Sequence, residues 1–159
     1  MTTPDPLVLT WPEVLAWRAA CRARGETVVL TNGCFDLLHR GHLDYLRRSA
    51  GLGARLLVAI NSDASVRVLK GPSRPVTAEH DRAWAVASLR GVDATFIFEG
   101  PRLAREISAL QPDLYTKAGD YTLDTLEATE RAALQQAGTQ IVFMPFVGGY
   151  STTATLAKL

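Results

Sequence analysis

The sequence has few cysteines, little net charge and no long apolar run, and each of these shortages excludes a class of protein. Cys21 and Cys34 are too few for a disulfide scaffold, and with three histidines and no Cys-x-x-Cys spacing they give little basis for a structural zinc site. The formal net charge of +1 gives no general signal for nucleic-acid binding. The longest clean apolar stretch, 56–60, is too short to cross a bilayer, so we expect no membrane association.

The remaining composition is that of an ordinary globular protein. The chain has 159 residues, of which 47% are apolar, and this suits one compact domain over residues 1–159 with a real core. The segment 1–6 lacks the basic head and apolar run of a signal peptide. We therefore expect a cytoplasmic protein with reduced thiols.

Predicted strands and helices alternate along the chain. Short apolar, β-branched runs predict five strands, at 27–30, 55–60, 94–98, 113–117 and 140–144. Helical spacing and end signals predict helices at 11–24, 41–50, 62–69, 78–90 and 123–137, one opened by Pro101 and a short one near Ser151. This alternation predicts a Rossmann-like α/β domain, with a five-stranded parallel sheet and helices on both faces. Trp11, Trp17 and Trp84 fall at core spacing on these helices.

The first of these strands runs into a segment with the residues of a phosphate site. Ligands of such sheets bind beyond the carboxyl ends of the strands, where this segment lies. Gly33 permits a sharp turn, and His39, Gly41 and His42 open the next helix. Free backbone N–H groups at a helix start favour phosphate, and two imidazoles there can donate hydrogen bonds to its oxygens. The pattern predicts stabilisation of charge on a transferring phosphoryl group.

Residues 28–46 resemble the signature of the cytidylyltransferase-like nucleotidyltransferase superfamily. Along nearly its whole length the chain is similar to the adenylyltransferase domains of ADP-heptose synthases, through the segments 22–26, 61–66, 69–71, 74–76, 117–121 and 151–153. The resemblance implies transfer of AMP from ATP to a sugar 1-phosphate such as heptose 1-phosphate, with release of pyrophosphate. It implies Mg²⁺ brought with ATP, no metal site of the protein's own, and, by analogy with related enzymes, a homodimer.

The resemblance also implies roles for the matching residues. Three are expected to be catalytic, namely His39, His42 and Lys70. A second group is expected to bind the nucleotide, namely Asn32, Gly33, Cys34, Phe35, Gly41, Lys117, Gly119, Asp120, Ser151, Thr152 and Thr153. A third is expected to bind the substrate, namely Asp36, Asn61, Asp63 and Arg82.

The chemistry of some of these residues leaves two roles open. Asp36 either orients its turn or helps to hold Mg²⁺, since aspartate serves both. Arg82 pairs either with phosphate or with Asp63. Lys117 ends a buried strand, where its ammonium group needs either a ligand phosphate or Asp120 as a partner.

Two departures from the family pattern leave the choice of substrate open. Ala118 stands where a glycine is expected, and Tyr150 precedes the hydroxyl run 151–153 where a smaller or aliphatic residue is expected. The alternatives are a cytidylyltransferase acting on glycerol 3-phosphate or a similar phosphorylated alcohol, and an FMN adenylyltransferase. A nucleotide-sensing module without catalysis is the alternative from another class.

Overall fold

The computed structural model describes residues 7–145, 148–150, 152 and 156, and its centre is a parallel sheet. The sheet has six strands: β1 (Val8–Leu9), β2 (Val28–Gly33), β3 (Arg55–Asn61), β4 (Ala94–Phe98), β5 (Leu114–Ala118) and β6 (Gln140–Met144). The prediction of five strands missed β1, which pairs with the outer side of β4. Two residues are too few to show an alternating pattern, so this strand is defined only by its partner.

Six helices connect the strands: α1 (Trp11–Ala23), α2 (Arg40–Ala50), α3 (Asp63–Lys70), α4 (Glu79–Ala87), α5 (Ala104–Leu110) and α6 (Ala128–Gln136). Thr10 and Glu13 form a capping box at the start of α1. The prediction that Pro101 opens α5 was wrong, because Leu103 is the N-cap residue. Helix α6 begins later than predicted, because the Glu127 carboxylate caps it by accepting hydrogen bonds from two backbone amides.

The helices cover both faces of the sheet, as predicted. One buried cluster joins the sheet to α1, α5 and α6, through residues such as Val14, Ile107 and Leu134. The other joins it to α2 and α4, through residues such as Leu46 and Val86. Each face therefore buries an apolar layer, which explains the continuous apolar runs at 28–30 of β2 and 56–60 of β3.

The tryptophan predictions hold for two residues of three. Trp11 and Trp17 pack against the cluster that joins α1, α5 and α6 to the sheet. The prediction for Trp84 was wrong, because 56% of its surface is exposed on α4. Helical spacing identifies a face, but Ala83 and Val86 occupy the buried face of α4 instead.

The strand order places one crevice at the carboxyl edge of the sheet. The order is β1-β4-β3-β2-β5-β6, so the chain moves from β2 towards β4 and later from β5 towards β6 in the opposite direction. Helix α2 leaves β2 on one face, and α6 leaves β5 on the other face. The two helices thus diverge between β2 and β5, which is where ligands bind in open parallel sheets.

A layer of buried hydroxyl groups connects α2 to these two strands. The Tyr45 hydroxyl lies 2.7 Å from Oγ1 of Thr31 on β2 and donates to Oγ1 of Thr116 on β5 at 3.0 Å. The Ser49 hydroxyl lies 3.0 Å from the same Thr116 oxygen. All four residues are at most 6% exposed, so their bonds satisfy polar groups that water does not reach.

Within the described part of the chain, no helix is long and apolar enough to cross a membrane. Thr152 and Leu156 have helical backbone, in the region of the predicted C-terminal helix. Ser151, where that helix was predicted to begin, lies outside the described residues. The homodimer stays a prediction.

Candidate active site between strands β2 and β5

The turn after β2 is closed by the ring of Phe35. A Cβ atom at Gly33 would lie 2.8 Å from this ring, so only glycine permits the approach. Phe35 itself has a φ of 45°, in the left-handed region that non-glycine residues seldom adopt. Its ring meets His42 edge-on, with the centroids 5.3 Å apart. The turn therefore sets one side of the predicted histidine site.

The two histidine rings are stacked against each other. Their centroids are 3.9 Å apart and their planes 16° from parallel. His39 is the N-cap residue of α2, and His42 lies one turn into the helix. A Cβ atom at Gly41 would lie 3.1 Å from the His39 ring and 3.3 Å from Cβ of Tyr150, so glycine at this position lets both side chains lie over the helix start.

Both imidazoles are held neutral. Burial, together with a smaller effect of the neighbouring His39, lowers the pKa of His42 to about 4. Burial also lowers the pKa of His39. The Nδ1 atoms of both rings are buried and have no hydrogen-bond partner among the described residues. Buried polar atoms without partners are uncommon, and here they lie where a ligand is expected.

We expect Gly41→Ala to lower kcat roughly tenfold, with KM for ATP changed less. The added methyl group would displace the His39 ring by a few tenths of an ångström, away from the stack with His42. Steady-state kinetics of the purified variant measures this. Gly51→Ala at the other end of α2 is the matched control, because its methyl group would make only an ordinary contact at 3.4 Å. Equal turnover in the two variants would contradict the assigned role of Gly41.

We expect acid to destabilise the protein through His42. Its pKa in the folded chain, about 4, lies below the ordinary value of 6.5, so between these values the unfolded chain binds more protons. The contribution is fully present above pH 6.5 and is lost as pH falls towards 4. Urea unfolding across this range should show a steeper loss of stability for the wild type than for His42→Gln. His80→Gln, at an exposed position on α4, should retain the wild-type slope.

The Asp36 carboxylate is engaged inside the protein. It pairs with Nε of Arg74 at 2.5 Å and accepts hydrogen bonds from the amides of Val76 and Thr77 at 2.8 and 3.0 Å. Its side chain is 1% exposed. These bonds hold the pKa of Asp36 below its ordinary value against the effect of burial, which acts to raise it. Asp36 thus fastens the loop between α3 and α4 to the turn after β2, and it does not fit as a Mg²⁺ ligand.

Arg82 is a buried clamp between three segments. Its guanidinium donates to the carbonyl oxygens of Cys34 and Asn61, after β2 and at the end of β3. It also pairs with the Asp63 carboxylate at 2.8 Å and donates to the carbonyl of Thr77. Its side chain is fully buried, so of the two roles left open the structure gives it the pair with Asp63.

Asn61 is equally engaged within the protein. Its side-chain amide donates to the Ser65 hydroxyl at 2.7 Å, and the residue is 3% exposed. Asn61, Asp63 and Arg82 thus form one network behind the turn, in which only the Asp63 side chain, 28% exposed, reaches solvent. A direct substrate contact by these three residues stays a prediction.

Lys117 meets β2 at the carboxyl end of β5. Its ammonium group donates to Oδ1 of Asn32 at 3.2 Å and to the Tyr115 hydroxyl at 3.4 Å. Burial lowers the pKa of Lys117. Among the described residues no carboxylate oxygen lies within 4.0 Å of this ammonium, and Asp120 is exposed. Of the two partners considered for Lys117, Asp120 is thus not engaged, and this half-buried cation has no ion-pair partner among the described residues.

Three of the other predicted residues are among those that the structure describes. Lys70 ends α3 and is exposed, and its charge opposes the rise that burial produces in the pKa of the Cys34 thiol. Gly119 has a φ of 114° and donates its amide to the Met144 carbonyl. Thr152 donates its hydroxyl to the Leu37 carbonyl at 3.2 Å. Ser151 and Thr153 lie outside the described residues.

Tyr115 was missed by the sequence analysis. Its hydroxyl donates to Oδ1 of Asn32 at 2.6 Å, beside the Lys117 ammonium. Since alternate residues of a strand share a face, the spacing of two between Tyr115 and Lys117 was a usable signal. In the described part of the chain, no three histidine, cysteine, aspartate or glutamate side chains gather as a metal site.

The fold and this crevice define the class of the protein. A doubly wound parallel sheet, with stacked histidines opening a helix at the point where strand order reverses, is a nucleotide-binding α/β domain of the nucleotidyltransferase type. The family model described as cytidylyltransferase-like matches residues 30–154. The chain belongs to the cytidylyltransferase-like family.

Known relatives agree with this assignment. The bifunctional protein HldE of Mesorhizobium japonicum is 46% identical over 141 residues, which are 89% of this chain and 28% of that protein. HldE of Koribacter versatilis is 44% identical over 151 residues, 95% of this chain and 31% of that protein. The chain thus spans less than a third of the length of these relatives.

A solved structure supports the fold. The lipopolysaccharide core biosynthesis protein from Thermoplasma volcanium superposes with a TM-score of 0.63 at 24% identity. The match covers 80% of this chain and 100% of that chain.

Proposed function

We propose that this protein transfers AMP from ATP to a sugar 1-phosphate of the heptose 1-phosphate type and releases pyrophosphate. The single observation that carries the proposal is the pair of stacked, neutral histidines at the start of α2, with two Nδ1 atoms that lack partners among the described residues. The identity of 44–46% to HldE proteins and the resemblance to ADP-heptose synthase domains support ATP and a sugar phosphate as the reactants.

The chemistry needs positioning more than proton transfer. An oxygen of the acceptor phosphate attacks the α-phosphorus of ATP, the bond from that phosphorus to the bridging oxygen breaks, and pyrophosphate leaves with the electron pair. The attacking oxygen is already anionic, so no general base is required. His39 and His42 would donate hydrogen bonds to the α-phosphate oxygens and so would stabilise their negative charge in the transition state. Free amides in the first turn of α2 would add to this stabilisation.

The cations and hydroxyl groups around the crevice would hold the remaining phosphates. Lys70 would reach the β- and γ-phosphates from the end of α3, while Lys117 would lie where the two reactants meet. Ser151, Thr152 and Thr153 would bind the triphosphate near the start of α2. We assign Asp36, Asn61, Asp63 and Arg82 a positioning role, because their polar groups already bond within the protein.

Mg²⁺ would enter with the nucleotide. The ion commonly keeps several waters and binds through substrate phosphates with few protein groups, and there it neutralises charge on the triphosphate. Asp120 is the exposed carboxylate nearest in sequence to the crevice residue Lys117 and is free to approach such an ion.

A pyrophosphate-release screen tests the proposal. It crosses ATP, CTP, GTP and UTP with heptose 1-phosphate, other sugar 1-phosphates, glycerol 3-phosphate and FMN. We expect release with ATP and a sugar 1-phosphate. Release with CTP and glycerol 3-phosphate, or formation of FAD, would replace the proposal by a rival transferase. ATP binding without release across the whole panel would indicate a nucleotide-sensing module.

A further inference from the structure

A pocket of about 290 Å³ opens beside Lys117, on the side of the sheet covered by α5 and α6. The histidine pair begins α2, which packs on the opposite face. The pocket is lined by polar and charged side chains, among them Arg102, Lys117, Tyr121, Glu127 and Glu130. None of these apart from Lys117 belongs to the predicted site, so the pocket extends beyond that site.

The pocket contains two cations, the exposed Arg102 and the half-buried Lys117, that have no ion-pair partner within 4.0 Å in the described structure. The Arg102 guanidinium makes no hydrogen bond or ion pair within the described ranges, and the Lys117 ammonium bonds only to the neutral oxygens of Asn32 and Tyr115. Burial lowers the pKa of Lys117 and the charge of Arg102 acts in the same direction, while the larger effect of the Glu130 charge opposes this shift. An anion bound between the two cations would further offset the cost of burying the Lys117 ammonium.

The same pocket contains two carboxylates with unused oxygens. Glu130 is 2% exposed and accepts the Leu103 amide through Oε1 at 2.8 Å. Glu127 caps α6 through Oε2 alone. Neither carboxylate comes within 4.0 Å of Arg102 or Lys117 in the described structure. A carboxylate that is not paired with a cation accepts hydrogen bonds from hydroxyl groups, so this side of the pocket suits a polyol.

We propose, resting on the adenylyl transfer proposed above, that this pocket binds the acceptor as a monosaccharide phosphate. Arg102 and Lys117 bind its phosphate, and the carboxylates of Glu127 and Glu130 accept its hydroxyl groups. The volume of about 290 Å³ lies just below the roughly 300–1,000 Å³ typical of small-molecule sites, which suits a small acceptor such as one sugar ring with a phosphate.

The pocket also adjoins the reaction site. Asn32, near the end of β2, accepts a hydrogen bond from the Lys117 ammonium. The chain continues from Asn32 through the turn to His39. An acceptor phosphate held by Lys117 thus lies on one side of the crevice, and the nucleotide lies over α2 on the other. The two phosphates meet between the strand ends, as in-line attack requires.

The first test replaces Arg102. We expect Arg102→Ala to raise KM for the sugar 1-phosphate roughly ten- to hundredfold and to leave KM for ATP within about twofold, since a charge-assisted hydrogen bond is lost. Arg105→Ala, on an exposed position of α5 outside the pocket, is the matched control and should leave both constants unchanged. An increase in KM for ATP alone would overturn the proposal.

The second test separates the two halves of the pocket. Glutamine at position 130 can still accept the Leu103 amide but carries no charge. We expect Glu130→Gln to bind inorganic phosphate as tightly as the wild type or more tightly, by calorimetry without nucleotide. The same variant should raise KM for the sugar phosphate. Equal changes in the affinity for phosphate and for the sugar phosphate would show that the carboxylate accepts no hydroxyl group.

These measurements distinguish failure of the pocket from failure of the proposed function. If no sugar phosphate supports pyrophosphate release, the proposed function fails, and phosphate titration still tests Arg102 and Lys117. If the wild type releases pyrophosphate while Arg102→Ala and Glu130→Gln behave normally, the activity stands and the pocket assignment fails.

Discussion

Replacing either histidine of the stacked pair should lower kcat by about 10²–10³, with the fold intact. In the proposed mechanism the effect is large because both rings would act on the α-phosphate oxygens chiefly as the transition state forms, whereas other groups would also bind the triphosphate. KM for ATP should therefore change little in His39→Ala and His42→Ala. Pyrophosphate release with saturating acceptor measures kcat, and circular dichroism with thermal unfolding verifies the fold.

The third histidine supplies the control for this prediction. His80 is exposed on α4, outside the crevice, so His80→Ala should retain wild-type kcat. Near-normal turnover in both His39→Ala and His42→Ala would remove the observation on which the proposed function rests. A loss of kcat in the double variant much smaller than the product of the single losses is expected, because the two rings act on the same phosphate.

Replacing Arg82 should have the largest effect on stability. In Arg82→Met the carbonyl oxygens of Cys34, Asn61 and Thr77 lose their donor, and the Asp63 carboxylate loses its counter-ion. Breaking a buried network of this kind costs about 3–5 kcal/mol. We expect the free energy of unfolding from urea titration to fall by this amount, with the slope against urea unchanged.

An exposed arginine provides the comparison. Arg55 pairs with Glu26 and Asp93, but its side chain is 40% exposed. Arg55→Met should therefore cost about 1 kcal/mol or less. A loss in Arg82→Met no greater than that in Arg55→Met would contradict the clamp. The loss of stability in Arg82→Lys should lie between those of the other two variants, because one ammonium group can replace only some of the hydrogen bonds of the planar guanidinium.

The parts of the fold that were predictable from sequence are those with local causes. Apolar runs identified β2 to β6, and helical spacing identified α1 to α4, because both patterns repeat within a few residues. The turn glycine Gly33 and the helix-start histidines were predictable for the same reason. Each lies directly after a strand, where the chain must turn and backbone amides are free.

The parts that were missed depend on partners distant in the chain. Arg82 bonds to groups 21 and 48 residues away, and Asp36 pairs with Arg74, 38 residues away. No local pattern shows that such side chains face inward, so the sequence left two roles open for each of them, and their predicted contact with substrate stays a prediction. The pocket residues Arg102 and Glu130 were missed similarly, since α5 and α6 bring them together only in the folded chain.

The buried hydroxyl layer beneath α2 fixes the position of this helix and, with it, the position of the His39 and His42 rings. Sliding the helix along the sheet by one turn would separate Tyr45 and Ser49 from Thr31 and Thr116. Thr31 would keep its bond to the Thr116 carbonyl, but the other three hydroxyl oxygens would lose these partners inside an apolar core. Each orphaned group would cost about 1–3 kcal/mol, a sum comparable to the whole stability of a domain. Alternative packings of this helix are therefore excluded energetically. The position of the two imidazoles relative to the strand ends is therefore fixed by buried contacts that lie away from the proposed reaction site.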